Sequence, residues 1–172
     1  MGQAVNELID WLRRHQQRID LDQLKNRLDD ERLNVGTLAD YIRFSEERYS
    51  RNLLAHGPQF YALVLCWMPG QASPIHDHKG ASCGVRIIQG TATETRFDWS
   101  GEQLKPQETT VMHAGEICGS FDDDIHEIRN NGSENLVTLH VYSPYLNNIN
   151  LYDLGSGKVT VFSDPLVETL SA

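Results

Sequence analysis

The chain has 172 residues, of which 40% are hydrophobic and 23% charged, as in ordinary globular proteins. Its formal net charge of −9 argues against nucleic acid as the main partner, because binding to phosphates requires clustered lysine and arginine. No apolar run approaches the roughly 20 residues of a membrane span, and the N-terminus lacks a signal-peptide pattern. The three scattered cysteines do not fit a disulfide scaffold. We therefore expect a reduced, cytoplasmic monomer with neither nucleic acid nor a membrane as partner.

The first 45 residues carry the periodicity of short amphipathic helices. Three sets of apolar residues recur at helical spacing: Val5, Leu8, Ile9 and Leu12; Leu21, Leu24 and Leu28; and Leu38, Tyr41 and Ile42. The pattern predicts three helices before the remainder of the chain.

From about residue 47 onward, short β-rich runs alternate with turn residues. The runs cover residues 49–55, 59–68, 83–90, 91–99, 108–116, 125–130, 136–143, 150–154 and 158–163. Their regular spacing predicts a sandwich or barrel, because the gaps leave no room for the helical crossovers of a parallel sheet. The fold class is therefore mainly β with N-terminal α-helices.

A His-x-His pair lies in the segment GQASPIHDHKGASCGVRIIQG, residues 70–90. In a strand, residues i and i+2 point to the same face, so the rings of His76 and His78 can converge on one ion while Asp77 points away. Alone, the pair is weak evidence, since two exposed histidines alternate often enough by chance. Asp77 is better interpreted as a partner that stabilises the strand than as a ligand.

Two motif spacings strengthen the metal interpretation. The first links the His76–His78 pair to glycines at both ends of the segment, and the second is IHEIRN, which contains His126 and Asn130. Together they resemble the two motifs of the cupins. The resemblance implies a cupin barrel, a double-stranded β-helix, over residues 46–172 with residues 1–45 packed on it as parts of one domain, 1–172. It also implies three histidines that hold a metal with open positions.

Many cupins carry a glutamate where this chain has Cys83. With His76, His78 and His126 as ligands, the metal would then have three neutral imidazoles and would keep its full dipositive charge. Such an ion favours an anionic substrate ligand such as a thiolate. Imidazole suits zinc, copper, iron or nickel, so the ligand set alone leaves the metal open.

Six segments, two of which contain the motifs just described, resemble the cysteine dioxygenase family, the non-haem Fe(II) enzymes that oxidise the thiol of cysteine with O₂. The segments are YSRN (49–52), VLCW (64–67), HDHKGASC (76–83), FDW (97–99), IHEIRN (125–130) and TLHVYSP (138–144). They occur in the family's order and approximate spacing, which is far more specific than His-x-His.

The resemblance implies a role for each matched residue. His76, His78 and His126 would bind Fe(II), and Arg51, with Tyr49 beside it, would hold the carboxylate of the substrate. Cys83 would join Tyr142 through a thioether cross-link. His140 would hydrogen-bond near the tyrosine hydroxyl. Thr138 occupies the family's usual serine position, and Trp67 would line the site.

Residue chemistry agrees with these roles but leaves other interpretations open. Thr138, His140 and Tyr142 alternate along one strand and so share a face. The planar fork of Arg51 fits a carboxylate by two hydrogen bonds, but it fits a structural ion pair equally well. Cys83 has the wrong parity to share a face with His78 in an unbroken strand, and the intervening KGAS stretch can supply the bend that corrects it.

Four of these residues could also be purely structural. Cys83 alone would be a small buried hydrophobe, and Tyr142 could simply pack with its hydroxyl bonded. His140 could be a satisfied core histidine, and Trp67 is compatible with the core.

The resulting functional hypothesis is oxidation of L-cysteine by O₂ to cysteine sulfinic acid. A 3-mercaptopropionate dioxygenase is the near alternative, although related enzymes that prefer this thiol usually carry glutamine at the position of Arg51. A metal-binding cupin module without turnover is the alternative from another class. A three-histidine zinc hydrolase is a third, without a positioned general base to support it.

Overall fold

The computed structural model describes residues 2–121 and 124–165, which form three α-helices and eleven strands. The helices are α1 (Gln3–Arg13), α2 (Leu21–Leu28) and α3 (Val35–Leu38), and a 3₁₀ turn (Ala39–Tyr41) follows α3. The strands are β1 (Ser50–Gly57), β2 (Phe60–Trp67), β3 (Ile75–His76), β4 (Ser82–Gln89), β5 (Thr91–Trp99), β6 (Leu104–His113), β7 (Ile117–Phe121), β8 (Ile125–Arg129), β9 (Leu136–Ser143), β10 (Ile149–Tyr152) and β11 (Val159–Phe162). The prediction of a mainly β chain with N-terminal helices is confirmed.

The strands form two antiparallel sheets. One sheet has the order β1-β2-β9-β4-β7, and the other has the order β11-β10-β3-β8-β5-β6. Strands that are neighbours in space, such as β2 and β9 or β4 and β9, are far apart in sequence. The predicted barrel region ends in residues 166–172, which lie outside the described residues.

Both faces of the three central strands of the five-stranded sheet, β2, β9 and β4, are buried, which explains why β2 and β9 read as nearly continuous apolar runs. One face, with Phe60, Ala62 and Val64 of β2, packs in a cluster with the apolar residues of the N-terminal helices. The opposite face, with Tyr61, Leu63 and other alternate residues, belongs to a second cluster inside the two-sheet structure. The helices therefore cover the outside of the sheet, and the inner face is left for the site.

Helix α2 lies close to strand β4 because a glycine there leaves room for it. A Cβ added to Gly84 would lie 2.9 Å from a methyl carbon of Leu28 and 3.0 Å from Cβ of Leu24. The buried guanidinium of Arg86 donates to the carbonyl oxygens of Leu28 and Leu33 at 3.0 and 3.3 Å. Leu28 is the last residue of α2, so Arg86 supplies a partner that the last carbonyls of a helix need, and it also binds the loop that follows, at Leu33.

The list of β-rich runs lacks two strands: β7, which was not predicted, and β3, which was assumed only for the His76–His78 pair; a third strand begins earlier than expected. Strand β3 has only two residues and pairs with β8 and β10, and β7 has the sequence ICGSF, without a β-branched run. Strand β6 begins at Leu104 rather than at residue 108. Pairing with neighbouring strands sets these elements, because strand propensity depends on such neighbours. Within the described residues, no helix is long and apolar enough to span a membrane.

Candidate metal site

Three histidines converge at the centre of the molecule. His76 ends β3 and lies directly opposite His126 of β8 in the antiparallel register. His78 lies beyond the end of β3, so its ring is not positioned by the predicted alternation of residues along a strand. The irregular chain after β3 positions it instead. Ligand atoms of the three rings lie within 4.8 Å of one another. The structure thus brings the three predicted ligands together.

Two of these histidines have one ring nitrogen fixed by a neighbour. Nδ1 of His76 lies 2.9 Å from the carbonyl oxygen of Pro74, and since a carbonyl only accepts, this nitrogen carries the proton. Nδ1 of His126 lies 2.6 Å from Oε1 of Glu94, with both side chains buried. In a neutral imidazole the other nitrogen, Nε2, then offers its lone pair. Both histidines are therefore oriented to bind a metal through Nε2.

His78 provides the test of whether a metal fits. Within residues 2–121 and 124–165, neither of its buried ring nitrogens makes a hydrogen bond of normal geometry, although the backbone of Asp124 lies close enough to raise its pKa slightly. An unpaired buried polar group is costly, and a metal ion at the centre of the cluster would satisfy it. Burial, and then repulsion from His126 and His76, lower the pKa of His78 well below its usual value. The ring is therefore neutral, as a metal ligand must be.

The neighbouring strand carries a chain of hydrogen-bonded side chains. Nε1 of Trp67 donates to Oγ1 of Thr138 at 3.0 Å. The same oxygen lies 2.9 Å from Nε2 of His140, whose Nδ1 lies 3.1 Å from the hydroxyl of Tyr142. The ring of Tyr142 lies 6.4 Å, centroid to centroid, from that of His78. The shared strand face predicted for β9 is confirmed, and it points at the metal site.

Cys83 and Tyr142 are direct partners across strands β4 and β9. The turn before β4 contains Lys79 and Gly80, both with positive φ, and it returns the chain so that Cys83 faces inward. Both side chains are buried, and burial raises the pKa of each well above its usual value. The thiol and the phenol are therefore neutral neighbours.

His140 is also held neutral. Burial, followed by the fields of His126 and His76, lowers its pKa to about 3. At neutral pH it can therefore accept at one ring nitrogen and donate at the other.

Arg51 lies in β1, with its guanidinium paired to a carboxylate of the protein itself. Nη1 and Nη2 donate to the two carboxylate oxygens of Asp164 at 3.0 and 2.5 Å. Nη2 also lies 3.3 Å from the hydroxyl of the buried Tyr61. Burial opposes the charge of Arg51, but the hydrogen bond with Asp164 and the neighbouring charges hold its pKa above its usual value. The ion pair, left open as an alternative for Arg51, is thus present.

Tyr49 precedes β1 and stacks on Trp67, with ring centroids 4.2 Å apart and planes 11° from parallel. The ring of Tyr61 similarly stacks on Tyr142 at 4.9 Å. Tyr61 also approaches Arg51, so the pair of tyrosines connects the arginine with the tyrosine near the metal site. The structure therefore brings Arg51 and Tyr142 into one continuous set of contacts.

Sequence reasoning did not find Glu94, Asp164 or Tyr61. Glu94 lies in β5 and reaches His126 only through the pairing of β5 with β8, and no local motif marks it. Burial raises the pKa of Glu94, while the charge of Arg96 opposes this shift. Asp77 has the strand-stabilising role predicted for it, although it lies just beyond the end of β3: its carboxylate accepts from the backbone and side-chain N–H groups of Asn150 and so holds β10.

Comparison with known proteins gives close agreement in sequence. The family model described as "Cysteine dioxygenase type I" matches residues 1–155. The chain is 36% identical to cysteine dioxygenase type 1 of Rattus norvegicus over 139 residues, covering 74% of this chain and 68% of the relative. It is 31% identical to that of Danio rerio over 147 residues, covering 81% and 73%.

Solved structures agree on the fold. A Klebsiella pneumoniae protein with a double-stranded β-helix domain superposes with a TM-score of 0.55 at 19% identity, covering 74% of this chain and 89% of the other. The cupin domain of Schizosaccharomyces pombe Cnp3 gives 0.51 at 17% identity, covering 62% and 66%. The predicted cupin fold is confirmed. From the extent of the family match and the identity to the curated relatives, the chain belongs to the cysteine dioxygenase type I family.

Proposed function

We propose that the protein is a dioxygenase that converts L-cysteine and O₂ to cysteine sulfinic acid, with Fe(II) held by His76, His78 and His126. Family membership supports the reaction class. The observation that carries the proposal is the set of three neutral imidazoles placed beside the ring of Tyr142, a ligand group that contains no carboxylate from residues 2–121 and 124–165. Glu94 accepts from His126 rather than joining the cluster, so no described residue adds an anionic ligand.

Bound Fe(II) would supply the redox chemistry that joins both atoms of O₂ to a thiol sulfur. The protein's contribution is binding and orientation. Three neutral ligands leave the ion's charge uncompensated, so the site favours a substrate that arrives as a thiolate. An error of about 1 Å in placing the sulfur could cost roughly a hundredfold in rate.

Arg51 is proposed to bind the substrate carboxylate, since a guanidinium accommodates a carboxylate through two parallel hydrogen bonds. Tyr49 would line the same side, where its ring is held rigid by the stack on Trp67. A thiol with a carboxylate at the right distance could then contact both Arg51 and the metal. L-Cysteine is the proposed substrate, and 3-mercaptopropionate is the comparison that tests the preference.

Tyr142 and His140 are proposed to hold a proton near the reacting sulfur. The phenol is neutral because burial raises its pKa, and Nδ1 of His140 lies within hydrogen-bond reach of it. Thr138 and Trp67 hold the far side of the histidine ring, so the tyrosine hydroxyl has a fixed partner. This arrangement would preorganise the hydroxyl at a lower entropic cost when the substrate binds.

The Cys83–Tyr142 thioether is proposed on their direct cross-strand pairing and shared burial. Its formation removes one hydrogen from the thiol and one from the phenol ring, with O₂ as the oxidant. Intact mass should show a loss of two hydrogens that develops with turnover, and Cys83→Ser should abolish it. An unchanged mass after many turnovers would eliminate the cross-link but not the enzyme.

Oxygen uptake tests the function. Fe(II)-loaded protein should consume one O₂ per cysteine and release the sulfinic acid, as identified by mass spectrometry. His126→Ala should lose iron and activity, whereas His113→Ala, at an exposed position of β6, should keep both. If iron-replete protein takes up no oxygen with cysteine or 3-mercaptopropionate, the proposal fails and a binding module becomes the better description. We further propose that the protein acts as a cytoplasmic monomer on small molecules; its few, scattered cysteines support the cytoplasmic location.

A further inference from the structure

The contact between Arg51 and Asp164 resembles the interaction proposed for the substrate. Both oxygens of Asp164 accept from the two terminal nitrogens of the guanidinium. The side chain of Asp164 is 4% exposed and that of Arg51 is 26% exposed. The end of the guanidinium fork is therefore occupied by a carboxylate that belongs to the protein.

A substrate carboxylate and Asp164 compete for this fork. Two carboxylates on one guanidinium repel each other, and this repulsion is strong in a partly buried site because solvent screens it poorly. The hydroxyl of Tyr61 lies 3.3 Å from both Arg51 and Asp164. Because a hydroxyl is neutral, it does not supply a second positive charge that would offset the repulsion between the two carboxylates. Tight binding of a carboxylate at Arg51 therefore requires that Asp164 move away.

The position of Asp164 in the fold allows such movement. Asp164 follows β11, a four-residue strand at the edge of its sheet that pairs only with β10 among the described strands. Val159, Thr160 and Val161 of this strand are exposed. Arg51, in contrast, lies in β1, in the other sheet, and 113 residues separate the two partners. Asp164 thus follows a short, exposed edge strand, whereas Arg51 lies in the eight-residue edge strand β1, which pairs along its length with the fully buried β2.

We propose that Asp164 is an internal competitor for Arg51, which a carboxylate-bearing thiol must displace before it binds productively. This inference rests on the proposed function for its substrate. If the paired state outnumbers the open state by some factor, the apparent affinity for the carboxylate falls by about that factor. Charge-assisted bidentate pairs are among the stronger hydrogen bonds, so the factor should be about ten or more. Asp164 is then a determinant of substrate affinity that does not touch the substrate.

The test compares thiols with and without a carboxylate. Asp164→Asn and Asp164→Ala should lower the KM for L-cysteine about tenfold and leave kcat within about threefold. For cysteamine, which lacks the carboxylate, the KM should not fall. Asp98→Asn makes the same charge change at an exposed site on β5 and should alter the KM for neither thiol.

Combining Asp164→Asn with Arg51→Gln should remove the gain, because the competition is for the guanidinium. The proposal is overturned if the KM for cysteine is unchanged or raised in both Asp164 variants. It is also overturned if the KM values for cysteine and cysteamine fall equally, since that result indicates general loosening of the site.

A binding measurement separates this inference from the proposed reaction. Anaerobic calorimetric titration of Fe(II)-loaded protein with L-cysteine should give about tenfold tighter binding for Asp164→Asn than for the parent. Hydrogen exchange in residues 159–164 should rise when cysteine binds and stay unchanged with cysteamine. If Asp164→Asn binds cysteine more tightly than the parent but the protein takes up no oxygen, the proposed reaction is rejected and the role of Asp164 as a competitor is kept. Normal oxygen uptake without tighter binding, or no binding of cysteine to either protein, rejects the competitor.

Discussion

The hydrogen bond from His126 to Glu94 gives a prediction whose size can be worked from the structure. Nδ1 of the histidine lies 2.6 Å from Oε1 of the glutamate, and both side chains are at most 4% exposed. The carboxylate holds the proton on Nδ1 and so keeps the lone pair of Nε2 available to the metal. Partners of this kind change metal affinity by about 10–100-fold when they are removed.

Two substitutions at Glu94 should weaken metal binding by amounts near the two ends of that roughly 10–100-fold range. Glu94→Gln keeps an oxygen that can accept from His126 but removes the negative charge, so Fe(II) should bind about tenfold more weakly, or about 1.4 kcal/mol. Glu94→Leu removes this acceptor and leaves Nδ1 of His126 only the longer contact with Oγ of Ser120 at 3.3 Å, so binding should weaken further, towards a hundredfold. Anaerobic competition with a coloured Fe(II) chelator measures both dissociation constants.

Glu127→Gln is the matched control. Glu127 is the neighbour of His126 in β8, so its side chain points to the opposite face, where it pairs with Arg129 at 3.0 Å. This change should leave Fe(II) affinity unaltered. The reasoning is refuted if both Glu94 variants bind Fe(II) as the parent does while remaining folded, or if Glu127→Gln weakens binding equally.

Three further predictions concern stability, each measured by urea unfolding of the metal-free protein. Gly84→Ala should cost about 1–3 kcal/mol, because the new methyl would meet helix α2, whereas Gly36→Ala, without such a contact, should not destabilise. Arg86→Met should cost about 1–3 kcal/mol, because the carbonyls of Leu28, at the end of α2, and of Leu33, in the loop after it, lose this donor; Fe(II) affinity should not change. His140 has a folded pKa of about 3 and an unfolded value near 6.5, so the unfolded chain binds more protons between these pH values and stability falls as pH drops below about 6.5. His140→Gln should reduce the dependence of stability on pH by up to about 1.4 kcal/mol per pH unit, and the exposed His56→Gln should leave it unchanged. The same pH dependence in the parent and both variants would contradict a buried, neutral His140.

Local patterns in the sequence determined much of the fold and the central part of the site. Helical spacing marked the buried stripes of α1 and α2, since a helix repeats its faces every three to four residues. The alternation of Thr138, His140 and Tyr142 predicted their common face, because a strand repeats every second residue. The family motifs identified three histidines that the structure brings within reach of one ion.

Only the tertiary structure decided which partners surround those residues. The pairing of β5 with β8 brings Glu94 to His126, and the meeting of the two sheets brings Asp164 to Arg51 across 113 residues of chain. Residue identity showed that Arg51 could bind a carboxylate, but not that the protein supplies one. Backbone periodicity specifies where a side chain points within its own element, whereas strand order and register specify what it meets. The sequence therefore predicted the three histidines and their chemistry, and the assembled sheets determine how those histidines are oriented and which carboxylate the arginine meets.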